Sequence, residues 1–167
     1  RIGKACYIPI GHNSKRCINK DIAIQKPKPL LEDSSIKKIG QNIKFDFIVL
    51  FKHGINVSSM EDTMLMSYVL DSGKNRHNMD TLSEIHLGHK TISFKEIVGT
   101  GKKEINFSDV ELDKAMEYAA EDADITYRLY KIFSKSIKLE KLTSIYEIFE
   151  KPMIKILAFM EIEGIKV

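Results

Sequence analysis

The spacing of apolar residues predicts a chain that alternates short strands and helices in its first half and is mainly helical in its second half. The clearest pattern predicts a helix over 42–53, whose apolar residues recur three or four positions apart. Asn42 can cap its start, and Gly54 stands where a left-handed helix stop is expected. The apolar positions of this helix are Ile43, Phe47, Leu50 and Phe51.

Weaker patterns predict the elements on either side of this helix. Residues 4–10 are expected to form a strand, kept to an edge or an end by Pro9, which has no amide hydrogen to donate. A turn is expected at 11–14. The other expected elements are a short helix ending near Asp33, strands at 36–39 and 55–60, a helix at 62–70, a polar loop at 71–78 and a short helix around Leu82.

Two capping boxes are predicted in the second half. Ser108-Asp-Val-Glu111 is expected to start a long helix, and Ser144-Ile-Tyr-Glu147 a final helix that passes Pro152 and ends near Gly164. These elements predict a single α/β or α+β domain with a helical extension at its C-terminal end.

Composition narrows the classes of protein only slightly. The chain has 167 residues, 43% of them hydrophobic and 29% charged, which is typical of one globular domain. We expect a soluble, cytoplasmic protein, since no long uncharged apolar run occurs and Cys6 and Cys17 match neither a disulfide framework nor a zinc site. The net charge of +3 permits phosphate contacts without indicating nucleic acid. Because the chain opens on Arg1 without a leader pattern, we expect its natural start to lie elsewhere.

Three residues are candidates for chemistry. Tyr118 and Asp122 are four positions apart in the predicted long helix, so their side chains emerge on one face. By itself, the spacing favours an ordinary amphipathic helix with a solvated aspartate and a half-buried tyrosine. Asp46 fits either a partner of a helix dipole or a metal ligand, and its position alone favours the dipole partner. The histidines lack zinc-site spacing, and phosphate-binding loops and a nucleophile elbow are absent from the sequence.

Six segments of the chain, in this order, carry a resemblance to a known family: Leu30-Leu-Glu-Asp, Gly40-Gln-Asn-Ile-Lys-Phe-Asp46, Asp62-Thr-Met-Leu, Arg76-His-Asn-Met-Asp-Thr-Leu, His89-Lys-Thr-Ile-Ser-Phe94 and Tyr118-Ala-Ala-Glu-Asp122-Ala-Asp. Together they resemble the 3′-to-5′ proofreading exonuclease domain of bacterial DNA polymerase I. The similarity runs from about Gly3 to the end of the chain. Its last part, from Glu150-Lys-Pro-Met to Glu163-Gly-Ile-Lys-Val, resembles the first helix of the polymerase region, so it implies an exonuclease domain over 1–140 and the start of a polymerase domain over 141–167.

This resemblance implies an RNase H-like α/β fold and a site with two divalent ions, Mg²⁺ or Mn²⁺. It makes Asp46 and Asp122 metal ligands and Tyr118 the residue that orients the attacking water. Carboxylate oxygens suit such hard cations, which can clamp the attacking and leaving oxygens of a phosphodiester. The resemblance also implies contacts with a single-stranded DNA 3′ end from Gln41, Asn42, Phe45, Arg76 and Phe94.

In that family the first motif is an Asp-x-Glu on the first strand, and we expect this chain to start downstream of that strand. The fold is therefore expected to lack its first strands, and the chain alone to be marginally folded and inactive. The parent protein is expected to be a monomeric DNA-directed DNA polymerase that binds nucleotides and primer-template DNA and removes mispaired 3′ nucleotides.

Two alternatives come from other functional classes. One is an exonuclease-like DNA-binding module without activity, against which the presence of Asp46, Tyr118 and Asp122 argues. The other is a stand-alone exonuclease that trims RNA 3′ ends, which the polymerase-like C-terminal segment disfavours.

Overall fold

The computed structural model describes residues 4–13 and 16–164. Two short strands lie among helices, and short turns of 3₁₀ helix (Gly101–Lys103 and Phe107–Asp109) and a turn of π helix (Ile145–Glu150) complete the described elements. The strands are β1 (Lys38–Gly40) and β2 (Met60–Asp62). The α-helices are α1 (Lys20–Gln25), α2 (Lys28–Glu32), α3 (Ile43–Lys52), α4 (Thr63–Asp71), α5 (Met79–Leu87), α6 (Phe94–Val98), α7 (Leu112–Leu139) and α8 (Lys151–Glu163).

The strands β1 and β2 pair in parallel, with Gly40 opposite Asp62, and α3 makes the crossover between them. Both strands therefore end at the same edge of the sheet. Gly40 allows α3 to follow closely, since a Cβ at this position would lie 2.7 Å from Cγ1 of Ile43. This edge is where an α/β sheet ordinarily presents its binding crevice.

Three apolar clusters form the core of the described residues. The first packs α3 against α8, with Phe47 and Ala158 fully buried. The second packs α7 against α4 and α5 around Leu82 and Leu129, and the third lies under α6. The predicted long helix is confirmed as α7, which buries Ala115, Ile125 and Leu129 in this core. Among the described residues, no helix combines the length and the apolar character that crossing a membrane requires.

The predicted helix at 42–53 is confirmed, but its predicted cap is wrong. Asn42 adopts a left-handed conformation (φ 55°), and its side chain makes no capping hydrogen bond. The buried carboxylate of Asp62 takes that role, because it accepts from the backbone N–H groups of Asn42 and Ile43 at 3.0 Å each. Gly54 has the left-handed conformation predicted for the stop (φ 77°).

Neither predicted capping box forms. The long helix begins at Leu112 with Glu111 as its N-cap residue, and Ser108 lies in the preceding 3₁₀ turn. Ser144 has helical backbone angles, whereas a capping side chain needs an extended residue, so the chain continues into the π turn instead. The final helix nevertheless ends at Glu163, beside Gly164, as predicted. A capping box that was not predicted joins Ser93 and Glu96 at the start of α6.

The predicted strands are wrong or displaced. Residues 4–10 form no strand, because this segment folds back locally: the carbonyl of Pro9 accepts from the Ile18 amide at 2.8 Å. The strand expected at 36–39 is β1, two residues later. The strand expected at 55–60 begins only at Met60, since the left-handed Ser59 (φ 53°) breaks the extended run. Residues 11–13 bend as expected for the turn, and position 14 lies outside the described residues.

Glu61 joins the sheet to the C-terminal segment through a buried ionic network. Its side chain is 3% exposed, and its Oε1 lies 2.9 Å from Nζ of Lys151 and 3.2 Å from Nζ of Lys37. Its Oε2 accepts from the Tyr146 hydroxyl at 3.0 Å. Burial alone would raise the pKa of Glu61, but the hydrogen bonds and charges of these partners outweigh it and bring the pKa below its usual value. The ionised carboxylate is therefore the folded state's preferred form.

We predict that Glu61→Gln lowers the free energy of unfolding by about 3 kcal/mol at pH 7, because it leaves two lysines beside a neutral buried group. Since the folded-state pKa of Glu61 is lowered, its contribution is present above the unfolded-state pKa and is lost as the pH falls through the folded-state pKa. Urea unfolding at pH 7 and at pH 3 should therefore show the difference from wild type shrinking in acid.

The matched control is Glu147→Gln, which removes the same charge from an exposed side chain that also pairs with Lys151, at 3.0 Å. It should cost less than about 1 kcal/mol, as exposed ion pairs do. Equal losses from the two variants at pH 7 would show that the network does not hold the C-terminal segment.

Candidate active site

A cavity of about 510 Å³ opens at the edge where β1 ends. The end of β1 forms one wall, the first turn of α3 contributes Asp46, and α7 forms the opposite wall. The lining residues are Ile39, Gly40, Gln41, Asp46, Met79, Asp122, Ala123, Thr126 and Tyr127. Two of the three predicted catalytic residues, Asp46 and Asp122, therefore face the same space.

Asp46 lies in the first turn of α3. The residue as a whole is exposed, yet burial raises the pKa of its carboxyl group, and the nearby charge of Asp62 raises it further. A backbone hydrogen bond acts in the opposite direction without cancelling the rise. The described residues therefore do not stabilise the ionised form of Asp46 enough to offset its burial.

Asp122 projects from the middle of α7 into the same cavity. Its Oδ1 is buried and receives no hydrogen bond from the described residues. Burial raises the pKa of Asp122 to about 6, the charges of Glu121 and Asp80 add to the rise, and the interaction with the Tyr118 hydroxyl lowers it. A buried carboxylate oxygen without a partner is uncommon in proteins and indicates a site that favours a cation.

Tyr118 lies one helical turn before Asp122, as the spacing predicts, and interacts with its carboxylate. Burial and the charge of Asp122 raise the pKa of Tyr118 to about 12, so its hydroxyl keeps its proton at neutral pH. The ring lies 6.2 Å from that of Phe94 and 6.3 Å from that of Phe107. Tyr118 therefore lies between Asp122, which lines the cavity, and the rings of Phe94 and Phe107.

The acidic cavity fits part of a divalent metal site. Asp46 and Asp122 supply hard oxygen ligands, and the unpartnered Oδ1 of Asp122 is the kind of atom that a cation satisfies. The described residues contain no group of three or more His, Cys, Asp or Glu side chains placed to hold a metal ion. The described chain therefore offers two carboxylates and needs further ligands to complete such a site.

Of the five residues expected to contact DNA, four are exposed and Gln41 is hydrogen-bonded inside the protein. Phe45 is 65% exposed beside Asp46, Phe94 is 50% exposed beside Tyr118, and Arg76 is also exposed. Gln41 is engaged inside the protein: its Nε2 donates to the His77 carbonyl at 2.8 Å, and its Oε1 accepts from the Thr63 hydroxyl.

Asn42, the fifth residue expected to contact DNA, gives its backbone N–H to Asp62. As a whole the residue remains exposed between the Gln41 wall and Asp46. The structure thus leaves Phe45, Phe94, Arg76 and Asn42 accessible, and uses Gln41 to hold the segment that follows Arg76.

Sequence analysis missed the roles of two acids. Asp62 follows a strand and precedes an apolar helix, which is a local signal for a helix cap, and its Oδ1 does accept from the Met64 amide at 2.9 Å. Its second role at the start of α3 depends on the pairing of β1 with β2, which no local pattern reveals. Glu121 is adjacent to Asp122 and binds the segment that precedes Phe94, again a contact between distant parts of the chain.

Comparison with known proteins identifies relatives over nearly the whole chain. A family model described as 3′–5′ exonuclease matches residues 2–138. DNA polymerase I of Rhizobium leguminosarum is 42% identical over 175 residues, covering 98% of this chain and 17% of that protein. DNA polymerase I of Pseudomonas aeruginosa is 38% identical over 169 residues, covering 97% of this chain and 18% of that protein. The chain thus spans less than a fifth of the length of these curated relatives.

The structural comparison supports the fold independently. NrnC of Brucella melitensis superposes with a TM-score of 0.66 over 91% of this chain and 68% of that chain, at 20% sequence identity. This likeness shows an exonuclease-like fold with a small sheet among helices. The resemblance to bacterial DNA polymerase I found in the sequence is confirmed by the family model and the relatives together. The chain belongs to the 3′–5′ exonuclease family of DNA polymerase A.

Proposed function

We propose that this chain is the greater part of the proofreading domain of a DNA polymerase I, which hydrolyses mispaired nucleotides from the 3′ end of DNA. The observation that carries the proposal is the shared cavity of Asp46 and Asp122, with the unpartnered Oδ1 of Asp122. The parent protein would be a DNA-directed DNA polymerase, as the names of the relatives suggest. We propose that it is monomeric and cytoplasmic and that it also binds nucleotides.

Asp46 and Asp122 would hold Mg²⁺ or Mn²⁺. Two such ions in a complete site supply charge stabilisation for the attacking and leaving oxygens of an in-line phosphodiester cleavage. The chain's own contribution is electrostatic: two carboxylates with raised pKa values and no lysine or arginine among the lining residues. Such a site attracts cations, and it disfavours phosphate unless cations are present.

Tyr118 would orient a water molecule at the scissile phosphate. Its hydroxyl keeps its proton at neutral pH and lies beside Asp122, so it can hold a water in a fixed direction without competing as a nucleophile. A positioned nucleophile contributes to catalysis by reducing the entropy that must be lost in the transition state.

The 3′ end would lie across the exposed side chains that flank the cavity. Phe45 and Phe94 offer rings for stacking with bases or sugars, Arg76 offers a charge for phosphate, and Asn42 a polar side chain for sugar or phosphate. A direct contact from Gln41 would require its two internal hydrogen bonds to open.

Residues 1–140 would form the exonuclease domain, and residues 141–167 the start of the polymerase domain. The family match up to residue 138 supports this boundary. The described part of the second segment packs on the first, with the Phe159 ring 5.8 Å from that of Phe47 and Lys44 paired with Glu161.

The isolated chain would be inactive as a nuclease and marginally folded. The described residues place only two carboxylates at the cavity, and β1 and β2 form a sheet of only two strands there. These observations also favour the second candidate function for the chain by itself, a DNA-contact module without catalysis.

We predict that Mn²⁺ stabilises the chain through Asp46 and Asp122. A concentration well above the dissociation constant should raise the melting temperature by about 2–4 °C, since binding to the folded state alone adds stability. Asp46→Asn and Asp122→Asn should each abolish most of this shift in a thermal melt with and without Mn²⁺.

The matched control is Asp124→Asn, which removes the same charge from α7 at a residue that pairs with Arg128 (3.6 Å) and does not line the cavity. Its metal-dependent shift should equal that of wild type. A shift retained by Asp122→Asn, or lost in the control, would remove the metal role assigned to the cavity.

We also predict that the purified chain releases no nucleotides from a single-stranded oligonucleotide in Mg²⁺ or Mn²⁺, because two carboxylates cannot hold the two ions that the chemistry requires. Product analysis on a denaturing gel checks this. Robust hydrolysis that the Asp122→Asn variant lacks would show that the described site is complete.

A further inference from the structure

The carboxylate of Glu121 binds a distant segment of the chain with both oxygens. Its Oε1 accepts from Nε2 of His89 and its Oε2 from the backbone N–H of Ile92, each at 2.7 Å. The Glu121 side chain is only 16% exposed. Successive residues of an α-helix point about 100° apart, so Glu121 leaves α7 in a different direction from its neighbour Asp122. Nothing in the chemistry proposed above uses this carboxylate.

The segment that Glu121 binds, residues 89–93, is held at several further points. The Ser83 hydroxyl donates to the His89 carbonyl at 2.8 Å, and the Thr91 hydroxyl donates to Asp80 at 2.7 Å. The segment ends at Ser93, which forms a capping box with Glu96. The residue directly after it, Phe94, is therefore placed by this set of bonds.

The Phe94 ring is half exposed. It stacks on Phe107 with ring centres 5.9 Å apart and an angle of 19°, and its centre is 6.2 Å from that of Tyr118. α6, which Phe94 begins, is only five residues long, so it cannot fix the ring by itself. The position of the ring depends on the segment before it.

We infer that Glu121 is a positioning residue for DNA binding, which holds Phe94 where its ring contacts the terminal nucleotide. The DNA contact in this inference rests on the proposed function, whereas the placement of the ring by Glu121 does not. A carboxylate suits the task, because it accepts from two N–H donors at once. A glutamine could keep both contacts if the His89 ring changed tautomer and accepted at Nε2 from its N–H₂ group. Glu121→Ala removes both acceptor oxygens and so leaves His89 and Ile92 without this partner.

The first part of the test measures the ring position without DNA. The chain contains no tryptophan, so Phe94→Trp introduces a single fluorophore at this site. Adding Glu121→Ala should shift its emission to the red and increase its quenching by acrylamide, and His89→Ala should change both in the same direction to a smaller extent. Glu117→Ala, on an exposed residue one turn earlier in α7, is the charge-matched control and should change neither. Unchanged quenching in Glu121→Ala, with circular dichroism showing a folded chain, would overturn the positioning role.

The second part measures binding of a labelled single-stranded oligodeoxythymidylate by fluorescence anisotropy in Mg²⁺, in which we expect the chain to release no nucleotides. Phe94→Ala should weaken binding about tenfold, the size expected for one lost stacking contact, and Glu121→Ala about fivefold. The double variant should bind no more weakly than Phe94→Ala alone, since Glu121 acts through that ring. Additive losses would overturn the inference. Full affinity in Phe94→Ala would instead overturn the proposed DNA site, while the fluorescence result would still decide whether Glu121 places the ring.

Discussion

The rest of the site depends on the hydrogen bonds that the buried carboxylate of Asp62 accepts. It is 1% exposed, accepts from the backbone N–H groups of Asn42, Ile43 and Met64, and so begins both helices that leave the sheet edge. The amide of the same residue donates to the Tyr146 hydroxyl at 3.1 Å, which connects the edge to the C-terminal segment. Burial raises the pKa of Asp62 despite these hydrogen bonds, because water does not solvate the buried carboxylate. Its geometric effect is to fix the first turn of α3, which carries Asp46 to the cavity.

Glu61 and Asp62 are neighbours in β2 but have different roles, because adjacent residues of a strand face opposite sides of the sheet. Glu61 is neutralised by Lys37 and Lys151 and attaches the C-terminal segment. Among the described residues, no lysine or arginine lines the cavity, and burial raises the pKa values of Asp46 and Asp122. The described lysines around Glu61 thus stabilise the fold, whereas the cavity stays electronegative. This arrangement costs stability in the free protein and is the physical basis for the proposal that a metal ion binds there.

Local patterns predicted the helices well and the contacts between them poorly. The apolar period and Gly54 located α3, and the four-residue spacing placed Tyr118 beside Asp122, because both depend on nearby residues alone. The caps at Ser108 and Ser144 failed, because a capping side chain acts only when the backbone around it has the required angles. The three-residue strands were displaced for a similar reason: pairing across the sheet, not propensity, sets their bounds. That Asp46 and Asp122 share a cavity followed only from the family resemblance, since their spacing along the chain carries no such information.

The proposed active site requires that Asp46 and Asp122 bind a divalent cation together at the carboxyl edge of the sheet. The most direct measurement is the anomalous scattering of a crystal of the chain soaked in Mn²⁺. We expect a peak in the cavity at about 2.1 Å from carboxylate oxygens of both residues, Oδ1 of Asp122 among them. Manganese bound only at other carboxylates, with Oδ1 of Asp122 still without a ligand, would contradict it.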